Sequence, residues 1–244
     1  MQTYAIGDIH GHLDLLQGAH ELIAADRAAN GGAEAQLVHI GDLVDRGPNS
    51  RGVIEYLIAG QAAGQPWVVL KGNHDRMFTN FLADPWARDP GLRAELTWLH
   101  PRLGGPDTLA SYGLRDAGDR PVDSVHREAQ AAVPQAHVAW LEELPTQLLL
   151  GSALYVHAGI RPGVDLSAQT EDDLVWIRAG FLEDERDHGA LVVHGHTAIA
   201  APRHYGNRLN IDSSAAYGGP LSAVVIEGRD AWLLTPQGRV PVTP

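Results

Sequence analysis

The stretch GDLVDRGPNS occupies Gly41–Ser50 and directly follows the apolar run Leu37–Ile40. A short apolar run that ends in a glycine-bearing polar turn is typical of a buried strand. Four further runs precede similar turns: Tyr4–Ile6 before GDIHG (Gly7–Gly11), Trp67–Leu70 before KGNHD (Lys71–Asp75), Leu154–Val156 before HAG (His157–Gly159) and Leu191–Val193 before HGHT (His194–Thr197). The five occurrences of this pattern predict five buried strands.

Helical patterns lie between the early strands, because apolar residues recur there about every three to four positions. They are Leu13, Leu16, Leu22 and Ile23 in the first interval and Val53, Ile54, Leu57 and Ile58 in the second. Strands that alternate with helices favour an α/β fold with a largely parallel sheet. Later strands are predicted at 147–150, 209–211, 221–227 and 231–234, and a turn at Gly228 joins the last two.

The segment from about Arg76 to Thr146 differs from the rest, because it has a mostly helical pattern. Prolines interrupt it at Pro85, Pro90, Pro101, Pro106, Pro121 and Pro134. We interpret it as a helical insertion (76–146) beside the sheet, within a single domain that spans 1–244. A chain of 244 residues can form one domain with a sizeable core.

Composition excludes several classes of function. Lys and Arg number 18 and Asp and Glu number 30, so 18 − 30 gives a net charge of −12. The chain therefore lacks the basic surface of a general nucleic-acid binder. The absence of cysteine excludes disulfides, thiolate metal sites and a cysteine nucleophile. The N-terminus has no signal-peptide pattern, and no run approaches the roughly 20 apolar residues of a membrane span. We expect a cytoplasmic protein with no nucleic-acid or membrane partner.

Side chains that can bind metal or phosphate follow these strands, and the carboxyl ends of strands are where ligands collect in α/β sheets. They are Asp8, His10, Asp42, Asp45, Arg46, Asn73, His74, His157 and His196. An aspartate after glycine is usually a turn former, but turn chemistry does not explain five such strand ends together. Oxygen and nitrogen ligands without sulfur favour manganese, iron, cobalt or zinc. We predict a site for two metal ions that activate water for a displacement at phosphorus.

The ordered set GDIHG, GDLVDRGPNS, GNHD, HAG and GHT resembles the motif set of the calcineurin-like metallophosphoesterases. More closely it resembles the small bacterial PPP-type serine/threonine protein phosphatases, and DTLASYG (Asp107–Gly113) adds to the similarity. The resemblance extends over nearly the whole chain. It implies a four-layer α/β/β/α sandwich with two divalent metal ions, of which Mn²⁺ is the expected one. The implied reaction is hydrolysis of phosphoserine or phosphothreonine esters, in a protein or a small molecule, by a hydroxide that the metals activate.

The resemblance also assigns roles by position. The implied metal ligands are Asp8, His10 and Asp42 for the first ion, with Asp42 bridging, and Asn73, His157 and His196 for the second. His74 matches the general acid that protonates the leaving alkoxide, and Asp45 matches the carboxylate that orients it. Arg46 and Arg178 match the residues that bind phosphate. Elementary chemistry agrees, since arginine binds phosphate oxygens bidentately and histidine can donate a proton near neutral pH.

Several nearby residues invite a role without a matching motif position. His194 precedes the GHT motif, and we interpret it as a bystander or a residue behind the site. Ala198 stands where many relatives in the superfamily carry a further histidine ligand, as expected for the PPP branch. Tyr217 and Tyr112 are candidates for lining the pocket, although a structural role fits both equally well. Asp75 is expected to pair locally or to cap the next helix.

Two alternatives stand beside the phosphomonoesterase. Bacterial bis(5′-nucleosyl)-tetraphosphatases, which hydrolyse dinucleoside polyphosphates, share most of these motifs. They typically carry Ala in place of Asp45 and GHW in place of Gly195–Thr197, and both differences favour the phosphatase. A non-catalytic binding module would require the loss of a metal ligand or of His74, and all of these residues are present.

Overall fold

The computed structural model describes all residues, 1–244, and places eleven strands in two sheets. The strands are β1 (Gln2–Ile6), β2 (Leu37–His39), β3 (Trp67–Val69), β4 (Gln147–Leu150), β5 (Ala153–Val156), β6 (Leu191–His194), β7 (Arg203–His204), β8 (Arg208–Asn210), β9 (Ala223–Glu227), β10 (Asp230–Thr235) and β11 (Gly238–Pro241). Of these, the sequence did not predict the two-residue β7 and the terminal β11.

Seven α-helices connect or cover the strands. They are α1 (Leu13–Asn30), α2 (Ser50–Ala62), α3 (Asn73–Ala83), α4 (Gly105–Ser111), α5 (Val122–Ala132), α6 (Gln135–Glu142) and α7 (Glu171–Trp176). Short 3₁₀ turns occur at Ala117–Asp119, Leu166–Ala168 and Ala215–Tyr217. None of the helices combines the length and the apolar character needed to cross a bilayer.

Both sheets are mixed. The first has the order β11-β10-β9-β1-β2-β3, in which β1, β2 and β3 are parallel and β9, β10 and β11 form antiparallel hairpins. The second has the order β4-β5-β6-β8-β7, in which β5, β6 and β8 are parallel and both edge strands are antiparallel. The parallel strands are adjacent in each sheet, at one side of the first and at the centre of the second, so within each sheet their carboxyl ends meet at one edge.

The alternation of side chains along each strand builds the layers. On β1, Tyr4 and Ile6 pack into the cluster beneath α1 and α2, whereas Ala5 joins the cluster between the two sheets. On β5, Tyr155 faces the first sheet and Leu154 faces outward, where α7 and Phe181 cover it. The predicted α/β class with two central sheets is confirmed, although a single short helix and its flanking loops form the fourth layer.

The helical segment between β3 and β4 begins at Asn73, three residues before the predicted boundary at Arg76. Its buried side chains, among them Phe78, Trp98 and Leu109, belong to the same apolar cluster as the residues of α1 and α2. The segment is therefore packed on the helical layer of the first sheet. Its description as an insertion within one domain stays a prediction.

Candidate metal centre

The carboxyl ends of β1, β2, β3, β5 and β6 open into a cavity of about 530 Å³. Eight of the ten predicted site residues line it, namely Asp8, His10, Asp42, Arg46, Asn73, His74, Arg178 and His196. The other two, Asp45 and His157, are fully buried behind this surface and contact residues that line it. The structure thus brings all ten residues to one place, while the role of each stays a prediction.

Asp42 lies between the two candidate groups of ligands. Its Oδ2 is 3.3 Å from Nε2 of His10, and its Oδ1 is 3.4 Å from Nε2 of His157. His10 follows the first sheet's β1 and His157 follows the second sheet's β5, so this carboxylate joins both sheets. One oxygen toward each imidazole is the arrangement that a carboxylate needs in order to bridge two cations.

A second set of ligand atoms converges beside Asp42. Nε2 of His157 is 2.9 Å from Oδ1 of Asn73 and 3.2 Å from Nδ1 of His196. In one candidate group, the ligand atoms of Asp42, His157 and His196 all lie within 4.8 Å of one another. Two imidazoles, a carboxylate and an amide oxygen that converge in this way fit a divalent transition metal.

The other candidate group differs in one member from the ligands predicted for the first metal ion. His10, Asp42 and His74 lie within 4.8 Å of one another, whereas Asp8 lies outside that group on the wall of the same cavity. Proximity alone therefore does not distinguish a ligand from a proton donor at His74. The backbone N–H of His74 also donates to Oδ1 of Asp42 at 3.0 Å, which fixes the two residues relative to each other.

Backbone carbonyls set the tautomers of two imidazoles. Nδ1 of His10 donates to the carbonyl oxygen of Val44 at 2.9 Å, and Nδ1 of His157 donates to that of Ile40 at 3.0 Å. Each Nε2 is then left with a lone pair that faces the cavity. Burial also lowers the pKa of His157 to about 4, so its imidazole is neutral at neutral pH and suited to bind metal.

Two buried side-chain atoms without hydrogen-bond partners indicate whether metal ions fit these residues. Oδ1 of Asp8 and Nε2 of His196 are buried without a hydrogen-bond partner. Burial, followed by repulsion from Asp212 and Asp42, raises the pKa of Asp8 well above its usual range. A divalent cation would satisfy the unpartnered atoms and offset the repulsion among the carboxylates. The donor set therefore fits metal ions, with no preference among manganese, iron, cobalt and zinc.

Two arginines flank the cavity. Nη1 of Arg46 is 2.7 Å from Nε2 of His10, and its Nη2 is 2.9 Å from Nε2 of His74. Arg178 lies on the rim, where its Nη2 donates to the carbonyl oxygen of His196 at 3.3 Å. Arg46 thus contacts the nitrogen that His10 would offer to a metal, so this contact and a bound ion would compete for the same lone pair.

The pair of His74 and Asp45 has the geometry of an oriented proton donor. Nδ1 of His74 donates to Oδ2 of Asp45 at 2.6 Å, and Nε2 of His74 faces the cavity. Burial lowers the pKa of His74 despite the opposing attraction of Asp42 and Asp45. Nε2 is therefore the nitrogen at which a proton would be carried to the cavity, while Nδ1 stays bonded to Asp45.

Many of the site residues have a strained backbone conformation. Seven non-glycine residues have positive φ, and five of them are predicted site residues: His10, Asp42, Asp45, Arg46 and His196. The left-handed region is unfavourable for residues with a Cβ, so the surrounding packing must impose it. Four of the five side chains line the common cavity, and the fifth, that of Asp45, lies directly behind its wall.

Glycines stand where the carboxylates need room. A methyl group at Gly195 would overlap Oδ1 of Asp8, and one at Gly72 would overlap Oδ1 of Asp42. Asp75, expected to cap a helix, accepts from the backbone N–H of Gly72 at 2.8 Å and from that of Leu43 at 2.9 Å. It thereby ties the loop after β3 to the loop after β2.

Sequence reasoning missed several residues of the cavity. Asp212, Trp176, Arg93 and Arg102 line it, and the sequence analysis assigned none of them a role in the site. Tyr217 also lines it, 69% exposed and with the Arg46 guanidinium 5.4 Å from its ring centre.

Two other expected residues lie away from the metal ligands. Tyr112 is buried elsewhere, and its hydroxyl contacts Nδ1 of His137 at 2.9 Å. His194 is buried beside Arg208 and belongs to neither ligand group, as its interpretation as a bystander anticipated.

The sequence matches a family model described as calcineurin-like phosphoesterase over residues 1–221. A similar protein from Anoxybacillus flavithermus, named bis(5′-nucleosyl)-tetraphosphatase PrpE [asymmetrical], is 26% identical over 207 residues, which cover 78% of this chain and 74% of the relative.

Two solved structures share the fold. The first is the structure of a candidate diadenosine tetraphosphatase, with a TM-score of 0.63 at 21% identity. The match covers 99% of this chain and 94% of the chain in that structure. The second is the structure of a cold-active protein-tyrosine phosphatase from a psychrophilic Shewanella species, with a TM-score of 0.65 at 18% identity. The match covers 99% of this chain and 80% of the chain in that structure. Both likenesses concern the fold alone, and they agree with the predicted metallophosphoesterase architecture.

Replacement of Gly195 by alanine tests the place of Asp8. We expect Gly195→Ala to weaken Mn²⁺ binding by roughly 10- to 100-fold, the usual cost of disturbing a residue that supports a metal ligand, because the new methyl displaces the Asp8 carboxylate. Isothermal titration with Mn²⁺ measures the effect. Gly18→Ala on α1 is the matched control, since its methyl would enter open space. Unchanged affinity in a folded Gly195→Ala variant would remove Asp8 from the ligand set.

Proposed function

The chain belongs to the calcineurin-like phosphoesterase family, and we propose that it is a phosphomonoesterase with two metal ions that hydrolyses phosphoserine- and phosphothreonine-type esters. Asp8, His10 and Asp42 would hold one ion, and Asn73, His157 and His196 the other, with Asp42 shared. The ions would supply Lewis acidity, which makes water a stronger nucleophile and polarises the phosphoryl group. Mn²⁺ is the proposed ion, with iron, zinc and cobalt as the other fitting choices.

The observation that carries this proposal is the 2.6 Å contact between His74 and Asp45 at the wall of the cavity. A serine or threonine alkoxide is strongly basic and leaves phosphorus only if a proton reaches it. A nucleoside phosphate, by contrast, leaves as an anion that is stable near neutral pH, because the second pKa of a phosphate group is about 6. A well-held proton donor is therefore most useful against an alkyl ester.

The other side chains have complementary tasks. Arg46 and Arg178 are placed to bind the phosphoryl oxygens that do not react, and their planar guanidinium groups fix the orientation of the ester. His74 Nε2 gives its proton to the ester oxygen as the P–O bond breaks, and the alcohol leaves. We assign His74 to this role rather than to metal binding because the motif set matches His74 to the proton donor and Asp45 to the carboxylate that orients it.

A second candidate function, hydrolysis of dinucleoside polyphosphates, is favoured by the name of the Anoxybacillus relative and by the rim of the cavity. Arg93 and Arg102 are exposed there and form no ion pair, so they are free to bind further phosphates. Tyr217 and Trp176 offer aromatic faces on which a base could stack. These features suit a longer, more anionic substrate than a single phosphate ester.

Metal removal tests the common chemistry of both candidates. We expect EDTA treatment to abolish hydrolysis of 4-nitrophenyl phosphate, and added Mn²⁺ to restore it, because the carboxylates and imidazoles alone supply no Lewis acid. Circular dichroism of the treated protein controls for unfolding. Full activity of a protein shown to be metal-free by elemental analysis would refute the mechanism.

His74→Asn tests the proton donor. We expect kcat for a phosphoserine peptide to fall by roughly 10²–10⁴, the usual contribution of general acid–base catalysis, while both metal ions stay bound. Elemental analysis and steady-state kinetics measure the two effects. His137→Asn is the matched control, since His137 is also buried and hydrogen-bonded but lies outside the cavity. Loss of metal from His74→Asn would instead identify His74 as a ligand.

Parallel assays on a phosphoserine peptide and on diadenosine tetraphosphate separate the two candidate substrates. We expect the larger kcat/KM for the peptide, because the His74–Asp45 pair serves a basic leaving group. A preference for the tetraphosphate, lost in a double Arg93→Ala and Arg102→Ala variant, would establish the second candidate. Arg127→Ala, which removes an exposed arginine of α5 away from the cavity, controls for loss of positive charge.

A further inference from the structure

The Asp45 carboxylate is fully buried and has three hydrogen-bond donors. Its Oδ2 accepts from Nδ1 of His74 at 2.6 Å and from the indole Nε1 of Trp98 at 2.9 Å. Its Oδ1 accepts from the hydroxyl of Thr108 at 2.7 Å. Trp98 and Thr108 both belong to the helical segment between β3 and β4, to which the sequence assigned no catalytic contribution.

We propose that Trp98 and Thr108 are positioning residues that hold the Asp45 carboxylate against His74, and that they extend the enzyme's range to esters with basic leaving groups. This inference rests on the proposed function, because it concerns the proton that His74 delivers. The helical segment would then complete the proton donor in addition to shaping the mouth of the cavity.

Burial of the Asp45 carboxylate is costly unless hydrogen bonds replace its water. Asp45 is 0% exposed and makes no contact with lysine or arginine in any ion pair, so hydrogen bonds alone replace its water. A buried charged group that loses one such donor is left partly unsatisfied, which is costly. Trp98 and Thr108 supply two of the three donors, and the third is the catalytic imidazole itself.

Thr108 also holds the backbone of Asp45 in place. Its hydroxyl donates to Oδ1 of Asp45 and accepts from the backbone N–H of the same residue at 2.8 Å. Asp45 has a φ of 74°, a conformation that its surroundings must impose. The hydroxyl of Ser50 lies 3.1 Å from that of Thr108 and 3.2 Å from the same N–H, which places both hydroxyls around the strained residue.

Aromatic neighbours hold the Trp98 indole in place. Its ring stacks on Phe78 at 5.3 Å between ring centres and lies 4.8 Å from Phe81. Both phenylalanines are on α3, the helix whose second residue is His74. The donor to Asp45 is therefore packed on the same helix that carries the imidazole, so all three groups keep a fixed relation.

The chemical consequence depends on the leaving group. When the P–O bond breaks, the proton on His74 Nε2 moves to the ester oxygen, and the neutral imidazole later regains a proton from water. Misplacement of Asp45 would tilt the imidazole and delay this transfer. A basic leaving group would suffer most, whereas 4-nitrophenolate leaves as a stable anion and needs little protonation.

Trp98→Phe removes the indole donor while keeping an aromatic ring, and Thr108→Val removes the hydroxyl donor while keeping the shape of the side chain. We expect each to lower kcat for phenyl phosphate about 10-fold and kcat for 4-nitrophenyl phosphate by less than about 2-fold, with the metal content unchanged. Trp140→Phe is the matched control, since it also loses an indole hydrogen bond, to Gln61 at 2.8 Å, away from the cavity. Thr108→Ser keeps the hydroxyl and is expected to retain the activity that Thr108→Val loses.

A measurement independent of turnover uses the indole N–H signals in a ¹H–¹⁵N spectrum of the metal-free protein, which has only six tryptophans. The signal missing from Trp98→Phe belongs to Trp98, and we expect it to move upfield in Asp45→Ala. If Trp98→Phe does not fold, the Thr108→Val and Thr108→Ser pair provides the kinetic test. Equal loss on both esters, or no loss together with an unmoved indole signal, would overturn the inference.

These outcomes are distinct from failure of the proposed function. Phenyl and 4-nitrophenyl phosphates report on proton delivery whatever the preferred substrate is. The wild-type protein could fail to hydrolyse phosphoserine peptides while the variants lose more kcat on phenyl phosphate than on 4-nitrophenyl phosphate. That result would refute the proposed substrate and support the positioning role.

Discussion

The site depends on the placement of one carboxylate between two sheets. Asp42 follows β2 of the first sheet, yet its oxygens face His10 from the same sheet and His157 from the other. That geometry holds only if the two sheets keep their separation, and the apolar cluster between them, with Val38 and Tyr155 among its members, sets it. Packing between the sheets is therefore the physical basis of the metal-binding arrangement.

Holding the site residues in place costs free energy of folding. Five of them have left-handed backbone, at roughly 1–2 kcal/mol each, and several buried carboxylates repel one another. A sum of that size is comparable with the net stability of an ordinary domain, so the large apolar clusters on both faces of the first sheet must offset it. Bound cations would offset part of it as well, which couples metal binding to stability.

The sequence predicted the centre of the site better than its surroundings. The strand ends could be predicted because apolar runs and glycine turns are local signals, and the motif set supplied Asp45 and His74 as a pair. The contacts of Trp98 and Thr108 with Asp45 could not be found in this way, although Thr108 lies in the DTLASYG stretch, because they depend on how the helical segment packs on α3. The same holds for Arg93, and the thin outer layer around α7 has no periodic pattern long enough to reveal it.

The helical segment would therefore contribute to the proposed reaction in two ways. On its buried side, Trp98 contacts the carboxylate behind the proton donor, and on its exposed side, Arg93 and Arg102 line the mouth of the cavity. These residues lie within ten positions of one another, so a small change in the path of this segment would alter proton delivery and anion binding together. Proteins with the same sheets and the same metal ligands can thus diverge between esters and polyphosphates without change to the metal centre. The residues that we propose to decide between these substrates lie in the segment with the weakest sequence signals, because its contacts arise from tertiary packing rather than from local patterns.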